Sequence, residues 1–230
     1  MPRMKYLDNF EKTEPDLFHS IIFDFTKDRI KGKKSLNIGC WTGGYEQIAD
    51  EKIDNLFMAS VDIDHKALCT AKENVRNVNF VEADTVSLPF KDETFDVVMM
   101  FYVIEHLPLE KEREILKEIS RVIKTGGEFI CVTHNHQWFG NLFDIAYWTT
   151  GHRHYKKSYL EEILENSGMK IDFYELRGGI ISSISPIFFY LFKYCFKKNI
   201  YRDSNFVKRL LTNEFKKKGF RDIFLIAKKK

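Results

Sequence analysis

From Lys34 to Ala83, short apolar runs alternate with longer amphipathic ones. "KSLNIG" predicts a buried strand, "YEQIADEKI" a helix and "LFMASVDID" a second strand. "HKALCTAKENV" and "VNFVEAD" repeat the pair as helix and third strand. Short runs bounded by turn signals and interleaved with helical periods predict βαβ units around a parallel sheet. "FDVVMMFYV" is continuously apolar, as a strand covered on both faces requires. "LEKEREILKEISRVI" puts Leu109, Ile115, Leu116, Ile119, Val122 and Ile123 on one stripe, the mark of an amphipathic helix. "KTGG" is expected to end it in a glycine turn before a fifth strand, "EFICVTH". Further on, "SYLEEILENSG" predicts a helix with Ser158 as N-cap and Gly168 as stop. "MKIDFYEL" and "FRDIFLIAKK" read as two more strands, and "EPDLFHSIIFDFTKDRI" as a helix beside the sheet.

One segment resists the pattern. "GGIISSISPIFFYLFKYCF" is rich in apolar residues, but Pro186 and Lys193 interrupt it. A spanning helix needs roughly 20 predominantly apolar residues, so a transmembrane reading is rejected. An interfacial helix, a pocket cover and a dimer face all stay open.

Charge sharpens the picture of the same region. The formal net charge is +3, yet Tyr190–Lys230 holds 13 Lys and Arg against 3 Asp and Glu. The remainder holds 23 basic and 30 acidic residues, so a mildly acidic body carries a basic tail. Such a tail suits phosphates or an anionic membrane surface, or it is simply a solvated face. Peripheral membrane contact is therefore expected through 180–198 and the tail. The 230 residues are 44% apolar and 30% charged, enough for one large domain with its own core. Cys40, Cys69, Cys131 and Cys195 form no C-x-x-C pair and no zinc spacing. With no apolar leader in "MPRMKYLDNF", the expectation is a cytoplasmic chain with free thiols.

The candidate chemistry begins at "LNIGCWTGG", where the first strand meets a glycine turn and a helix. Doubly wound sheets bind ligands at the carboxyl ends of their strands. Gly39, Gly43 and Gly44 permit positive φ and close backbone approach. Asp62 ends the second strand, where an acid accepts hydrogen bonds from ribose hydroxyls. Asp64 suits the cap of the next helix. Asp84 ends the third strand, where a carboxylate can accept from an adenine amine.

In that order these pieces resemble the class I S-adenosylmethionine-dependent methyltransferases, over roughly Lys34 to Phe173. "LNIGCWTGG" is similar to the family's acid-x-Gly-x-Gly-x-Gly motif, "ASVDID" to its ribose motif and "EADTVSLPFKDETFDVVMM" to its adenine motif. "IEHLP", "ISRVIKTGGEFICV" and "GHRHYKKSYLEEILENSGMKI" resemble later segments. The resemblance implies an α/β fold: a three-layer, Rossmann-like, doubly wound sheet of seven strands, mostly parallel with an antiparallel C-terminal hairpin. It implies a single methyltransferase domain over 1–230, a helical cap over 1–33 and an apolar, basic insertion over 178–218. S-adenosylmethionine is the implied cofactor, held by Asn37, Gly39, Cys40, Trp41, Gly43, Asp62, Ile63, Asp84, Thr85 and Phe101. Two positions depart from the family pattern. Asn37 replaces the acid that organises the methionine end, and Trp41 replaces the middle glycine. Tryptophan costs energy there if the backbone needs φ > 0.

Methyl transfer demands alignment and exclusion of water, with a base for a protonated acceptor. His106 is the first candidate base, with Glu105 beside it and His134 after the fifth strand. Some quinone-ring O-methyltransferases resemble this segment but carry Glu-x-x-Glu-His and bind a metal; here Tyr102 stands at the first Glu. His134 and His136 lack an evident third ligand, so no metal is expected. His152, Arg153, His154 and Tyr155 are expected in a lid over a small-molecule acceptor, with Arg153 either holding an anion or bridging to an acid. The implied reaction is methylation of an oxygen, ahead of nitrogen or carbon, on a small-molecule, sugar or lipid-like acceptor. A catalytically silent binding module is the alternative. A dehydrogenase fits less well, because its G-x-G-x-x-G would put Trp41 where pyrophosphate needs a glycine. "IEHLP" in place of Asn-Pro-Pro-aromatic argues against a nucleic-acid substrate.

Overall fold

A computed structural model describes residues 15–137, 152–185 and 204–230. The chain order is α1 (Leu17–Ile30), β1 (Lys34–Ile38), α2 (Gly44–Lys52), β2 (Phe57–Asp62), α3 (His65–Asn74) and β3 (Val78–Glu82). Then come β4 (Phe95–Phe101), α4 (Glu112–Val122), β5 (Ile123–His134), α5 (Lys157–Glu165), β6 (Met169–Arg177), α6 (Asn205–Phe215) and β7 (Asp222–Lys229). Short 3-10 turns at Ile104–His106 and Leu109–Lys111 bridge β4 to α4.

The seven strands form one sheet in the order β3-β2-β1-β4-β5-β7-β6. The first five are parallel, whereas β7 runs antiparallel to both β5 and β6. This is the architecture implied by the resemblance. Its consequence is geometric. The carboxyl ends of β1 to β5 share one edge, and β7 brings its beginning, Asp222, to that edge opposite His134.

The period-two rule sorts the core. Val97 and Met99 of β4 join a cluster with Ile22 and Phe23 of α1, Ile48 of α2 and Leu68 of α3. Val98 and Met100 face the other way, onto Ile115, Leu116 and Ile119 of α4 and Leu160 and Ile163 of α5. All four β4 side chains are fully buried, which explains the unbroken apolar run.

Three local expectations are corrected. Ser158 is not the N-cap of α5; Lys156 holds that position and offers no side-chain hydrogen bond. α4 ends at Val122, and Lys124–Gly127 continue as part of β5 with a register shift against β4, so "KTGG" is an irregularity in a strand rather than a helix stop. Leu109 lies in a 3-10 turn at 57% exposure, off the buried stripe. Residues 186–203, including Cys195 and most of the segment expected at a membrane, lie outside the described residues. Among the described residues no helix is long and apolar enough to cross a membrane. The stretch leaving β6 is pinned to the stretch entering β7 by Gly219 N–H to Leu176 O at 2.7 Å and Phe220 N–H to Gly178 O at 2.8 Å.

Candidate functional site

The glycine turn is built by three strand ends. Gly39 N–H donates to Val61 O at 2.8 Å, which ties the turn to β2. Gly39 has φ +77°, and a Cβ there would lie 2.2 Å from Val103 Cγ2, so only glycine fits. Gly43 has φ +80° and caps α2, where a Cβ would press on Ala71 of α3. Trp41 adopts φ 49°, left-handed in a residue with a bulky side chain. Asp62 supports it: Trp41 N–H donates to Asp62 Oδ2 at 2.8 Å, and Asp64 N–H to Asp62 Oδ1 at 2.9 Å. Each oxygen keeps a second lone pair for a ligand hydroxyl. Asp64 caps α3 through the N–H groups of Lys66 and Ala67.

At the root of the turn stands an acid not singled out in the sequence. Glu46 of α2 is fully buried and accepts from Asn37 Nδ2 at 2.6 Å and Ser60 Oγ at 2.7 Å, both on Oε1. Burial raises its pKa, against those two hydrogen bonds. Glu46 Oε2 and Asn37 Oδ1 are buried without a partner. A polar residue one turn into a helix resembles any solvated position, so only the fold reveals the pairing.

The remaining cofactor candidates fall around this turn at different depths. Cys40 is buried, and burial pushes its thiol far up. Ile63 is 69% exposed. Asp84 is exposed after β3, with Oδ1 accepting from Val86 N–H at 3.1 Å, and Thr85 follows it half-buried. Phe101 ends β4 and packs its ring 5.0 Å from Tyr45. The donor set suits an adenosine with a cationic amino-acid arm. Asp62 and Asp84 offer acceptors, the Gly39 cradle excludes a Cβ, and the unsatisfied Asn37 oxygen offers an acceptor to an ammonium group.

The second half of the site is a charge network across β4, β5 and β7. His134 Nδ1 lies 2.8 Å from Asp222 Oδ1, and its Nε2 lies 3.8 Å from Glu105 Oε1. An ionised carboxylate only accepts, so Nδ1 carries the hydrogen. Tyr102, itself at φ 54°, donates its hydroxyl to Asp222 Oδ2 at 3.0 Å, and Arg221 adds a contact at 3.3 Å. Glu105 and Asp222 are all but sealed from solvent. Burial alone would neutralise His134, but Asp222 and Glu105 outweigh it and raise its pKa. Burial would raise Asp222, but Arg221 and His134 hold it below the usual carboxylate range. Glu105 is raised, chiefly by burial, although Thr133 Oγ1 donates to it at 3.0 Å.

His106 is different in kind. Its ring sits 4.3 Å from that of His152, edge on. Desolvation by its neighbours lowers its pKa, and the charges of His134 and Arg153 push the same way. The two histidines are thus shifted in opposite directions, His134 up and His106 down. Of the three catalytic candidates, Glu105 and His134 share the network, whereas His106 stands outside it with its ring against that of His152. Asp222 was missed in the sequence because an acid opening a late strand carries no local signal.

Arg153 resolves its two options. It donates to the carbonyls of Ile104 and Leu107 and pairs with buried Glu112, so it ties the β4–α4 connection to the chain before α5. Tyr155 donates to Ile104 O at 2.9 Å in the same knot.

Comparison with known proteins agrees with this geometry. The methyltransferase-domain family matches residues 36–131. A probable S-adenosylmethionine-dependent methyltransferase of Mycolicibacterium smegmatis is 27% identical, over 67% of this chain and 58% of its own. A demethylmenaquinone methyltransferase of Staphylococcus aureus is 30% identical, over 44% of this chain and 43% of its own. The chain thus spans about half the length of the curated relatives it matches. Among solved structures, a phosphoethanolamine N-methyltransferase of Haemonchus contortus, holding phosphomonomethylethanolamine and S-adenosylhomocysteine, superposes with a TM-score of 0.63. That match covers 92% of this chain and 52% of the other at 18% identity, a likeness of fold. With the glycine turn, strand-end acids and sheet order in place, residues 36–131 match a methyltransferase domain, and the chain is similar to S-adenosylmethionine-dependent methyltransferases.

Proposed function

We propose that this chain methylates an oxygen atom of a small-molecule, sugar or lipid-like acceptor, using S-adenosylmethionine. One arrangement supports the reading above all: at the edge of the sheet that carries the glycine turn, the rings of His106 and His134 lie 4.3 and 6.1 Å from that of His152, with the His106 pKa lowered and that of His134 raised. Asp62 and Asp84 would take the ribose and adenine, and Asn37 the ammonium group. When bound, the cofactor supplies a methyl group activated by a sulfonium, whose C–S bond breaks as the acceptor oxygen takes the methyl. His106 accepts the hydroxyl proton that the oxygen sheds, so charge balances without an external base. Desolvation lowers the His106 pKa, and His134, locked by Asp222, pushes it the same way. Tyr102 and Arg221 hold Asp222 in turn. The preorganised pair costs no reorganisation during the reaction.

Calorimetry with S-adenosylmethionine and with S-adenosylhomocysteine tests the reading directly. Binding of both is expected at ordinary cellular cofactor levels. A folded wild type that binds neither would overturn it and leave a silent methyltransferase-like module.

A further inference from the structure

Two buried acceptors lack donors at the foot of the glycine turn. Asn37 of β1 and Ser60 of β2 are cross-strand neighbours, so their side chains leave the same face of the sheet. Both close on Glu46 of α2 and donate to its Oε1, at 2.6 and 2.7 Å. Asn37 stands two residues before Gly39, and Ser60 two residues before Asp62. The carboxylate is therefore held where the turn and the strand-end acid both begin. Its other oxygen, Oε2, and Asn37 Oδ1 are buried and have no hydrogen-bond partner.

Packing alone does not account for this arrangement. Most buried polar atoms in folded proteins find a partner, and a buried carboxylate is costly unless a cation or enough donors meet it. Here both donors are neutral, and among the described residues no lysine or arginine pairs with Glu46. The imidazole whose charge bears on it, His19, accepts the N–H of Asp16 at Nδ1, 3.1 Å away. The field of Glu46 also reaches the turn, where it helps to hold the Cys40 thiol up. An ionised Glu46 can only accept, so it draws the Asn37 amide nitrogen toward itself and turns the amide oxygen away. The acid that the resemblance places on β1 is thus displaced by one hydrogen bond, from Asn37 to its partner on α2.

From this we infer that Glu46 is a positioning residue for the ammonium group of the cofactor's methionine arm, orienting Asn37 Oδ1 as its acceptor and supplying the negative charge behind it. An ammonium group carries three N–H donors and no acceptor, which suits a site that offers oxygens alone. A charge-assisted hydrogen bond at Asn37, backed by the carboxylate, separates this arm from a neutral group of the same size. The buried charge, a cost to the empty fold, then becomes selectivity for an amino-acid-bearing adenosine. The inference rests on the methyl-transfer reading of the same site and adds to it the residue that recognises the arm.

Calorimetry on the full chain compares S-adenosylhomocysteine with methylthioadenosine, which keeps the adenosine and the sulfur but lacks the amino-acid arm. Glu46→Gln should lower S-adenosylhomocysteine affinity at least about tenfold, the loss expected of a charge-assisted hydrogen bond. Methylthioadenosine affinity should not change, which also shows that the variant is folded. The exchange variant Asn37→Asp/Glu46→Gln returns the acid to β1 and should restore S-adenosylhomocysteine binding. Ser60→Ala removes a donor but keeps the charge, so the preference for S-adenosylhomocysteine over methylthioadenosine should persist. A Glu46→Gln variant that binds S-adenosylhomocysteine as the wild type does overturns the inference. So does one that loses both ligands equally while the exchange variant restores neither, since that marks a residue of the turn's packing. In both cases the wild type still binds S-adenosylhomocysteine, and the methyl-transfer reading stands. A folded wild type that binds neither ligand overturns the functional reading and this inference with it.

Discussion

Asp222 and His134 face each other across 2.8 Å, the first residue of an antiparallel strand against the last residue of a parallel one. The carboxylate fixes both the orientation and the charge of the imidazole. Asp222→Asn should remove the charge and leave a hydrogen bond. The His134 pKa should then fall, visible in a histidine-detected NMR titration. Stability should drop by about 2 kcal/mol in denaturant unfolding, the scale of a lost charged hydrogen bond.

The pH dependence of that stability has a defined sign. His134 has a folded-state pKa raised above its ordinary value of 6.5. Its stabilising contribution is complete below that ordinary value and disappears as pH rises through the folded value. Wild-type unfolding curves should lose stability across this window, and Asp222→Asn should not show the same loss.

His106 should control the acid limb of catalysis. Its pKa is lowered, so the base remains unprotonated to a pH below the usual histidine range. The acid limb of kcat/KM should lie below pH 6.5, the ordinary histidine value. His106→Gln should cost about 10²- to 10⁴-fold in rate and erase the limb. S-adenosylhomocysteine affinity should hold. A variant of full activity with the limb intact would move the base elsewhere.

Glu46 offers a test in which the variant should be the more stable form. An acid with a raised folded-state pKa loses its proton first in the unfolded chain, so its contribution falls as pH rises from its ordinary value of 4.5 through the folded value. Glu46→Gln keeps an acceptor for Asn37 and Ser60 and sheds the buried charge. Stability at neutral pH should rise by about 1 kcal/mol, and melting should depend less on pH.

Gly39→Ala and Trp41→Gly probe the turn itself. The alanine meets Val103 and an unfavourable φ, so cofactor binding should collapse with a clear loss of stability. Trp41→Gly relieves a left-handed backbone and should stabilise the turn by about 1 kcal/mol. Tighter S-adenosylhomocysteine binding in that variant would show that the tryptophan reshapes the site at a cost. Unchanged binding would show that the cost is structural only.

The sheet was legible because its signals are local. β4 reads as a run of apolar residues, and both of its faces do meet helices. The glycine turn and Asp62 were legible for the same reason, each lying at the end of a readable strand. What stayed hidden depends on distance in the chain. Glu46 looks like any helix acid until Asn37 and Ser60 close on it from two strands. Arg153 and Glu112 lie 41 positions apart, and neither announces the other. Ser158 misled because a cap is a geometry, and the helix had already begun at Lys157.

The antiparallel placement of β7 has a kinetic corollary. His134 and Asp222 are 88 positions apart, so a collapsed chain can assemble β4 and β5 before β7 docks. In such an intermediate the histidine would titrate without its carboxylate partner. Its chemical shift therefore doubles as a clock, reporting the moment at which the seventh strand enters the sheet.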